Sequence, residues 1–285
     1  MNILSIQSHV AFGHVGNSAA AFALQRLGHE VWAVPTVAYS NHPAHGGFGG
    51  QVSAPGLIDD MVAGLDDQGF LQSCDGVLSG YLGNTANGEA LLRAVARVRA
   101  ANPAALFLCD PVIGHAGRGA FAADGLAEMF RDRIIPAADI AIPNQFELEW
   151  LTGAEIATMA DAVAAARDLQ ARGPGTVVCT SLRRSDADND VMETLAVTKG
   201  EAWVVATPHL AGEMFGAGDL LAALYLGQRL TAGDTPQALA QAVSATYAVL
   251  QATAAACVGG GGELSLIAAQ DDMVAPRLFT AQRVG

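Results

Sequence analysis

Basic residues are scarce in this chain. Lysine occurs once, at Lys199, and Lys plus Arg number 15 against 28 Asp plus Glu, for a formal net charge of −13. A protein that grips nucleic acid needs a basic face, and here the arginines are scattered, with Arg183-Arg184 the only adjacent basic pair. Nucleic-acid binding is therefore not expected. A phosphate-bearing ligand would have to be held by backbone amides, a metal ion or single arginines. The lone lysine follows no Gly-rich loop, so there is no GxxxxGK[ST] phosphate loop, and no GxGxxG dinucleotide fingerprint occurs either.

Cysteine is also sparse. Cys74, Cys109, Cys179 and Cys257 are too far apart for CxxC or metal-ligand spacing, which points to the reducing cytoplasm and to small buried hydrophobes rather than disulfides. The opening MNILSIQSHV lacks a basic region followed by a long apolar core, so it does not read as a signal peptide. Residues 235–262 carry no charge, yet Gln237, Gln241, Ser244, Thr246, Gln251 and Thr253 interrupt them. That stretch reads as a buried packing helix, and no membrane association is expected.

What is present is a repeated alternation. Short apolar runs read as strands at 2–7, 30–35, 75–79, 105–109, 140–142, 176–180, 193–197 and 202–206. Longer amphipathic segments read as helices at 17–27, 88–101, 145–151, 160–172, 217–228 and 236–254. Strand-then-helix repetition predicts an α/β fold, a mainly parallel sheet with helices on both faces. The runs flanking Thr198-Lys199-Gly200 predict an antiparallel hairpin at the sheet edge. His/Gly-rich residues 41–50 and acidic residues 185–190 read as mobile loops; neither is long enough for a linker, so residues 1–285 are expected to form one domain.

The densest chemical signal is Phe215-Gly216-Ala217-Gly218-Asp219, just before the apolar run 220–226. Small residues allow a tight turn in which several N–H groups aim at one spot, at a helix N-terminus that favours anions. An acidic residue beside such a spot makes sense as the base that takes a proton from an attacking alcohol, while the amides stabilise a transferring phosphoryl group. An ordinary capped helix start would use the same residue types, and the pattern alone leaves both readings open.

Several strings resemble those of pyridoxal kinases of the ribokinase superfamily. They are Ser5-Ile6-Gln7-Ser8-His9-Val10 with Gly13 and Gly16-Asn17, then Tyr39-Ser40-Asn41-His42, Ser79-Gly80-Tyr81, Cys109-Asp110-Pro111-Val112, Pro143-Asn144-Gln145-Phe146-Glu147 and the 216–219 turn. They run in order over residues 2–219. Gly-x-Gly-Asp and Asn-x-x-Glu belong to the wider superfamily, whereas the first two strings point to the pyridoxal branch.

The resemblance implies a three-layer ribokinase-like fold, a homodimer, ATP with Mg²⁺ as phosphoryl donor and a possible monovalent-cation requirement. It implies Asp219 as base, with the Gly216, Ala217 and Gly218 amides as anion hole. Asp110, Asn144 and Glu147 would shape the Mg²⁺–phosphate region, Asp110 and Glu147 serving the metal, Glu147 through water. Thr180 and Ser181 match nucleotide contacts; Ser8 would bond the pyridine ring, with Val10 and Tyr81 lining its pocket. Hard oxygen ligands suit Mg²⁺, and Asp110 and Glu147 each follow a strand-like run. For Asn144 and Glu147 a helix capping box is an alternative that could coexist with function.

Pro43 departs from the family, many members of which have Thr there, and proline offers neither hydroxyl nor N–H. His45 is a candidate replacement for that substrate contact. Some members also have Lys where Thr180 sits. A hydroxymethylpyrimidine or sugar kinase of the same superfamily is the nearest alternative, and a non-catalytic vitamin-binding protein is the alternative of another class. Residues 185–190 would belong to a flap over ATP.

Overall fold

The computed structural model describes residues 1–188, 190–257 and 262–284. Ten strands form its central sheet: β1 (Asn2–Val10), β2 (Glu30–Tyr39), β3 (Gly50–Val52), β4 (Cys74–Ser79), β5 (Leu106–Cys109), β6 (Ile140–Ala141), β7 (Thr176–Leu182), β8 (Val191–Thr198), β9 (Ala202–Pro208) and β10 (Gln282–Arg283). Their spatial order is β10-β9-β8-β7-β6-β5-β4-β1-β2-β3. The six strands from β7 to β2 run parallel, and β3, β8, β9 and β10 join antiparallel. The predicted hairpin is therefore present as β8–β9, but β10 covers its outer strand over Trp203 and Val204.

Seven helices matter for the site: α1 (Asn17–Arg26), α2 (Pro55–Asp67), α3 (Thr85–Ala101), α4 (Gln145–Thr152), α5 (Met159–Gln170), α6 (Ala217–Ala232) and α7 (Thr235–Ala256). They lie in two layers because successive strand residues point to opposite faces. Phe107, Cys109, Val177, Cys179, Leu195 and Val197 pack with α2, α3, α4 and α5. Leu108, Ile140, Val178, Ala196 and Val205 pack with α1, α6 and α7. Both faces of the central strands are buried, so their sequences are nearly continuous apolar runs.

Sequence periodicity did not mark α2, whose run contains Gly56 and Gly64. Pro55 at its first turn and burial of Ile58 and Val62 stabilise it instead, together with the Asp59–Arg93 pair to α3 at 2.8 Å. The helical stretch 126–137, irregular where Phe130–Ile134 winds as a π-helix, was likewise not predicted. Residue 50, placed in a loop from sequence, opens β3. Cys74, Cys109 and Cys179 are buried free thiols and Cys257 is a half-buried one. Thr235–Ala256 packs as a helix, while residues 258–261 of that uncharged stretch lie outside the described residues. Among the described residues no helix is long and apolar enough to cross a membrane.

The chain runs from β1 to β2 on one side and then returns to β4 on the other side of β1. Parallel α/β sheets open a crevice at the carboxyl ends of their strands where the order reverses in this way. Here the crevice lies beyond the ends of β1, β4 and β5.

Candidate active site

Each central strand delivers one chemical group to that edge. Ser8 sits near the end of β1, at an irregularity in the β1–β2 register between Gln7 and His9. Pro35 of β2 faces Gln7 there and has no N–H for the ladder. The buried Asn17 side chain bridges the two strands instead, donating to the carbonyls of Gln7 (3.0 Å) and Val34 (3.3 Å). Between Gln7 and His9 β1 advances two residues while β2 advances three, from Pro35 to Ala38, so the extra residue of this bulge belongs to β2, opposite Ser8. Gly16 caps α1 immediately behind it with φ of 54°, and a Cβ at position 16 would collide with the Ser8 carbonyl and hydroxyl.

The 216–219 turn approaches the same place from the other layer. Gly216 has φ of 86°, and any side chain there would run into the His14 carbonyl oxygen. The first intrahelical bond of α6 is Leu220 N–H to the Gly216 carbonyl at 2.9 Å. The N–H groups of Ala217, Gly218 and Asp219 lie in the turn whose donors a helix cannot satisfy internally, and Gly218 is exposed.

Three carboxyl groups share the crevice. Burial pushes the Asp219 carboxyl up to about 6, although the nearby Gly16 backbone N–H favours its charged form. Asp110 follows β5 and is 8% exposed. Burial, then the neighbouring charges of Glu147 and Asp219, raise it well above the usual carboxylate range. Its Oδ2 lies 3.9 Å from where a Cβ of Gly218 would stand, so it faces the turn. No described residue donates a hydrogen bond to its carboxyl oxygens, although its backbone carbonyl accepts from Val112 N at 3.0 Å.

Glu147 is different. Burial raises its carboxyl too, but its oxygens are engaged: Oε1 accepts from Ile113 N (2.9 Å) and Gly114 N (3.2 Å), and Oε2 from Asn144 N (2.9 Å). Asn144 Oδ1 accepts from Glu147 N at 3.0 Å, completing a capping box on α4. Asn144 also donates from Nδ2 to Gly114 O (2.8 Å) and pairs through its backbone with Thr180. Ser181 beside it is the only non-glycine among the described residues with positive φ, 53°.

The structure thus gathers Ser8, Gly16, Gly80, Asp110, Gly218 and Asp219 around one crevice, with Asn144, Glu147, Thr180 and Ser181 one and two strands further along. Val10 is buried at the end of β1, and Tyr81, whose carbonyl accepts from Thr36 Oγ1 at 2.6 Å, is half-buried. His45 Nε2 lies 2.7 Å from Glu263 Oε1, and its ring meets Phe215, just before the 216–219 turn, edge-on with centroids 5.5 Å apart. The loop that carries it includes a short 3₁₀ turn, Pro43–His45, and His42 stacks on Phe215 with centroids 4.5 Å apart. Of residues 185–190, Ser185 N donates to Ala157 O at 3.0 Å and Arg184 contacts Asp186, while residue 189 lies outside the described residues.

Sequence reasoning missed three residues here. Gln7 and Gly80 oppose each other: a Cβ on Gly80 would lie 2.6 Å from Gln7 Oε1 and 3.6 Å from Asp219 Oδ1. The Gln7 amide is oriented by its bond from Nε2 to Ser5 Oγ (2.8 Å). Glu263 was missed as well, because nothing local ties it to His14, 249 positions away, whose N–H it accepts at 2.9 Å.

Residues 73–263 match the family model described as phosphomethylpyrimidine kinase. Over its full length the chain is 51% identical to pyridoxal kinase PdxY of Rubrobacter xylanophilus, covering 98% of that protein. It is 50% identical to pyridoxal kinase PdxY of Deinococcus radiodurans, with 99% of this chain and 96% of that one covered. The chain belongs to the pyridoxal kinase family. As a member of that family it is an ATP-dependent kinase. Among solved structures, the pyridoxal kinase of Leishmania donovani in complex with ADP and pyridoxamine superposes with a TM-score of 0.91 at 28% identity, covering 100% of this chain and 99% of that one. The same enzyme with ADP and pyridoxine gives 0.90 at 29% identity, with the same coverage. The pyridoxal-kinase fold in this chain therefore runs from end to end.

Proposed function

We propose that the chain transfers the γ-phosphoryl group of ATP to the hydroxymethyl oxygen of pyridoxal, with Asp219 as the base. The alcohol oxygen attacks phosphorus, a new O–P bond forms, the bond to the β–γ bridging oxygen breaks, and Asp219 takes the alcohol proton. The amides of Gly216, Ala217 and Gly218 face the transferring group, where preorganised donors act without reorganisation cost. Ser8, opposite the β2 bulge, bonds the ring, and Val10 and Tyr81 flank it. Asp110, Asn144, Glu147, Thr180 and Ser181 line the nucleotide side.

The observation that carries this reading is Asp110: a buried carboxylate with no hydrogen-bond donor, beside Asp219 and a turn of unsatisfied amides. A buried anion of this kind calls for a proton or a cation. Among the described residues no three His, Cys, Asp or Glu side chains converge as a complete metal cage. That suits Mg²⁺, which binds through one or two carboxylates and completes its shell with water and substrate phosphates. Asp110 would hold it, and Glu147, already occupied by three amides, would contribute only through water. When bound, Mg²⁺ would neutralise phosphate charge. A single catalytic domain, a homodimer, the cytoplasm and a monovalent-cation requirement belong to the same reading.

Incubating the protein with Mg-ATP and pyridoxal, pyridoxine, pyridoxamine, hydroxymethylpyrimidine or ribose, with ATP consumption as readout, tests it. Pyridoxal should be the best acceptor. A preference for hydroxymethylpyrimidine would favour the reading suggested by the family model, and pyridoxal binding without ATP turnover would make the protein a reservoir.

A further inference from the structure

The two residues that lead into the 216–219 turn have a neighbour from far along the chain. Met214–Phe215 pairs in parallel with Gly262–Glu263, and Gly262 N donates to the Glu213 carbonyl at 2.8 Å. The segment carrying Glu263 is itself anchored. Leu264 and Leu266 are buried in the layer of α6 and α7, and Ser265 N donates to Thr253 Oγ1 at 2.9 Å. From this support the Glu263 side chain crosses to the loop between β1 and α1. Its Oε2 accepts from His14 N at 2.9 Å, and a Cβ on Gly13 would lie 2.0 Å from the same oxygen. Its Oε1 meets His45 Nε2 at 2.7 Å, and the side chain is only 17% exposed. With both oxygens occupied, this carboxylate acts as a strut between segments rather than as a solvated charge.

We infer that Glu263 is a positioning residue for the base: by gripping His14 it holds the 11–16 loop in the one setting that seats Asp219 and its turn. The inference rests on the kinase reading above. The loop meets the reacting groups directly. The His14 carbonyl oxygen packs against Gly216, so closely that a Cβ there would lie 1.9 Å from it. Two residues on, the Gly16 N–H faces the Asp219 carboxylate and favours its charged form, and Gly16 also backs Ser8. The loop needs an outside tie. Its first half is bonded to β2, Ala11 N to Tyr39 O at 2.9 Å and Phe12 N to Ser40 O at 2.8 Å. Its second half contains Gly13 and Gly16, with φ of 94° and 54°, and such glycines leave the backbone mobile unless something fixes it. Glu263 supplies the tie at His14, midway between them, from the same segment that pairs with Phe215. One carboxylate thus sets the loop, the turn and the His45 side of the crevice in register.

The test is steady-state turnover of Mg-ATP and pyridoxal by the wild type, Glu263→Gln, Glu263→Asp and Glu263→Ala, with active sites counted by ADP-binding stoichiometry. Glutamine keeps the reach and an oxygen for the His14 N–H, so kcat per active site should stay within about threefold of wild type. Aspartate keeps the charge but is one methylene short, and alanine has neither. Both should lower kcat on the order of 10–100-fold, as a misplaced reacting group does, with KM for ATP within about threefold. Amide hydrogen exchange gives a second readout: the His14 and Gly16 amides should exchange faster in the aspartate and alanine variants and not in the glutamine variant. A merely structural residue would lower Tm and the number of active sites while leaving kcat per site unchanged, and that result would overturn the inference. So would an aspartate variant more active than the glutamine one, or a loss of kcat without faster exchange at His14 and Gly16. A wild type that consumes no ATP with pyridoxal refutes the kinase reading itself, a failure visible before any variant is made.

Discussion

Asp219→Asn should make the protein more stable at neutral pH while removing its activity. The carboxyl group is raised from 3.8 to about 6 in the fold, by burial, so its charged form is disfavoured in the native state relative to the unfolded chain. One pKa unit is worth about 1.4 kcal/mol, so the upper bound is about 3 kcal/mol at pH 8. The side chain is partly accessible, and solvent screening brings the expectation to roughly 1–3 kcal/mol. With an unfolding entropy of about 2.1 cal/mol/K per residue, that is a Tm increase of about 2–5 °C for a chain of this length.

The pH dependence gives the sharper test. Between pH 4 and 6 the native state holds the proton that the unfolded chain releases, so wild-type stability falls as pH rises through this window and levels off above it. The amide has no such dependence. The Tm advantage of Asp219→Asn should therefore be full at pH 8 and shrink toward zero by pH 4. In parallel, wild-type kcat/KM should drop about tenfold per unit below pH 6, as the base becomes protonated, and the variant should lose roughly a hundredfold or more in kcat at pH 8. Thermal melts at four pH values, read with steady-state rates, suffice. A variant no more stable than wild type at pH 8, or an advantage unchanged by acid, would refute the assignment of a desolvated carboxylate at the reacting centre.

Other substitutions separate architecture from chemistry. Glu147→Ala removes the acceptor for three backbone N–H groups and should cost about 3 kcal/mol, since a buried donor left unsatisfied costs roughly 1–3 kcal/mol; thermal melting, with faster exchange of the Ile113, Gly114 and Asn144 amides, checks it. Gly80→Ala places a methyl 2.6 Å from Gln7 Oε1 and 3.6 Å from Asp219 Oδ1. It should lower kcat about tenfold or more through displacement of the base, with KM for ATP within about threefold; an unchanged kcat would show that Asp219 tolerates the shift.

Much of this architecture is legible in one dimension. The strand runs at 75–79, 105–109 and 176–180 are found within a residue or two of their predicted limits, because strands buried on both faces leave unbroken apolar strings. Thr198-Lys199-Gly200 announced the β8–β9 hairpin, and Gly216–Asp219 announced the anion-binding turn, since few other residues tolerate that backbone. Helix α2 was not legible. Its glycines and acidic pairs dilute the local pattern, and it is held by Pro55, by packing of Ile58 and Val62, and by an arginine more than thirty positions away. Asn144 and Glu147 were legible twice over, as a capping box and as a superfamily motif, and the structure displays the first use directly.

Local residue patterns determined the layer order, the turn at 216–219 and the family strings, because propensity, periodicity and left-handed backbone are properties of neighbouring residues. Tertiary structure alone decided that the Asp110 carboxyl group is buried without a donor and that Gly80 must lack a side chain. It alone turned His45 to Glu263 and brought Glu263 against the loop at His14. Those outcomes are set by desolvation, steric approach and charge between residues tens to hundreds of positions apart, which no local pattern encodes.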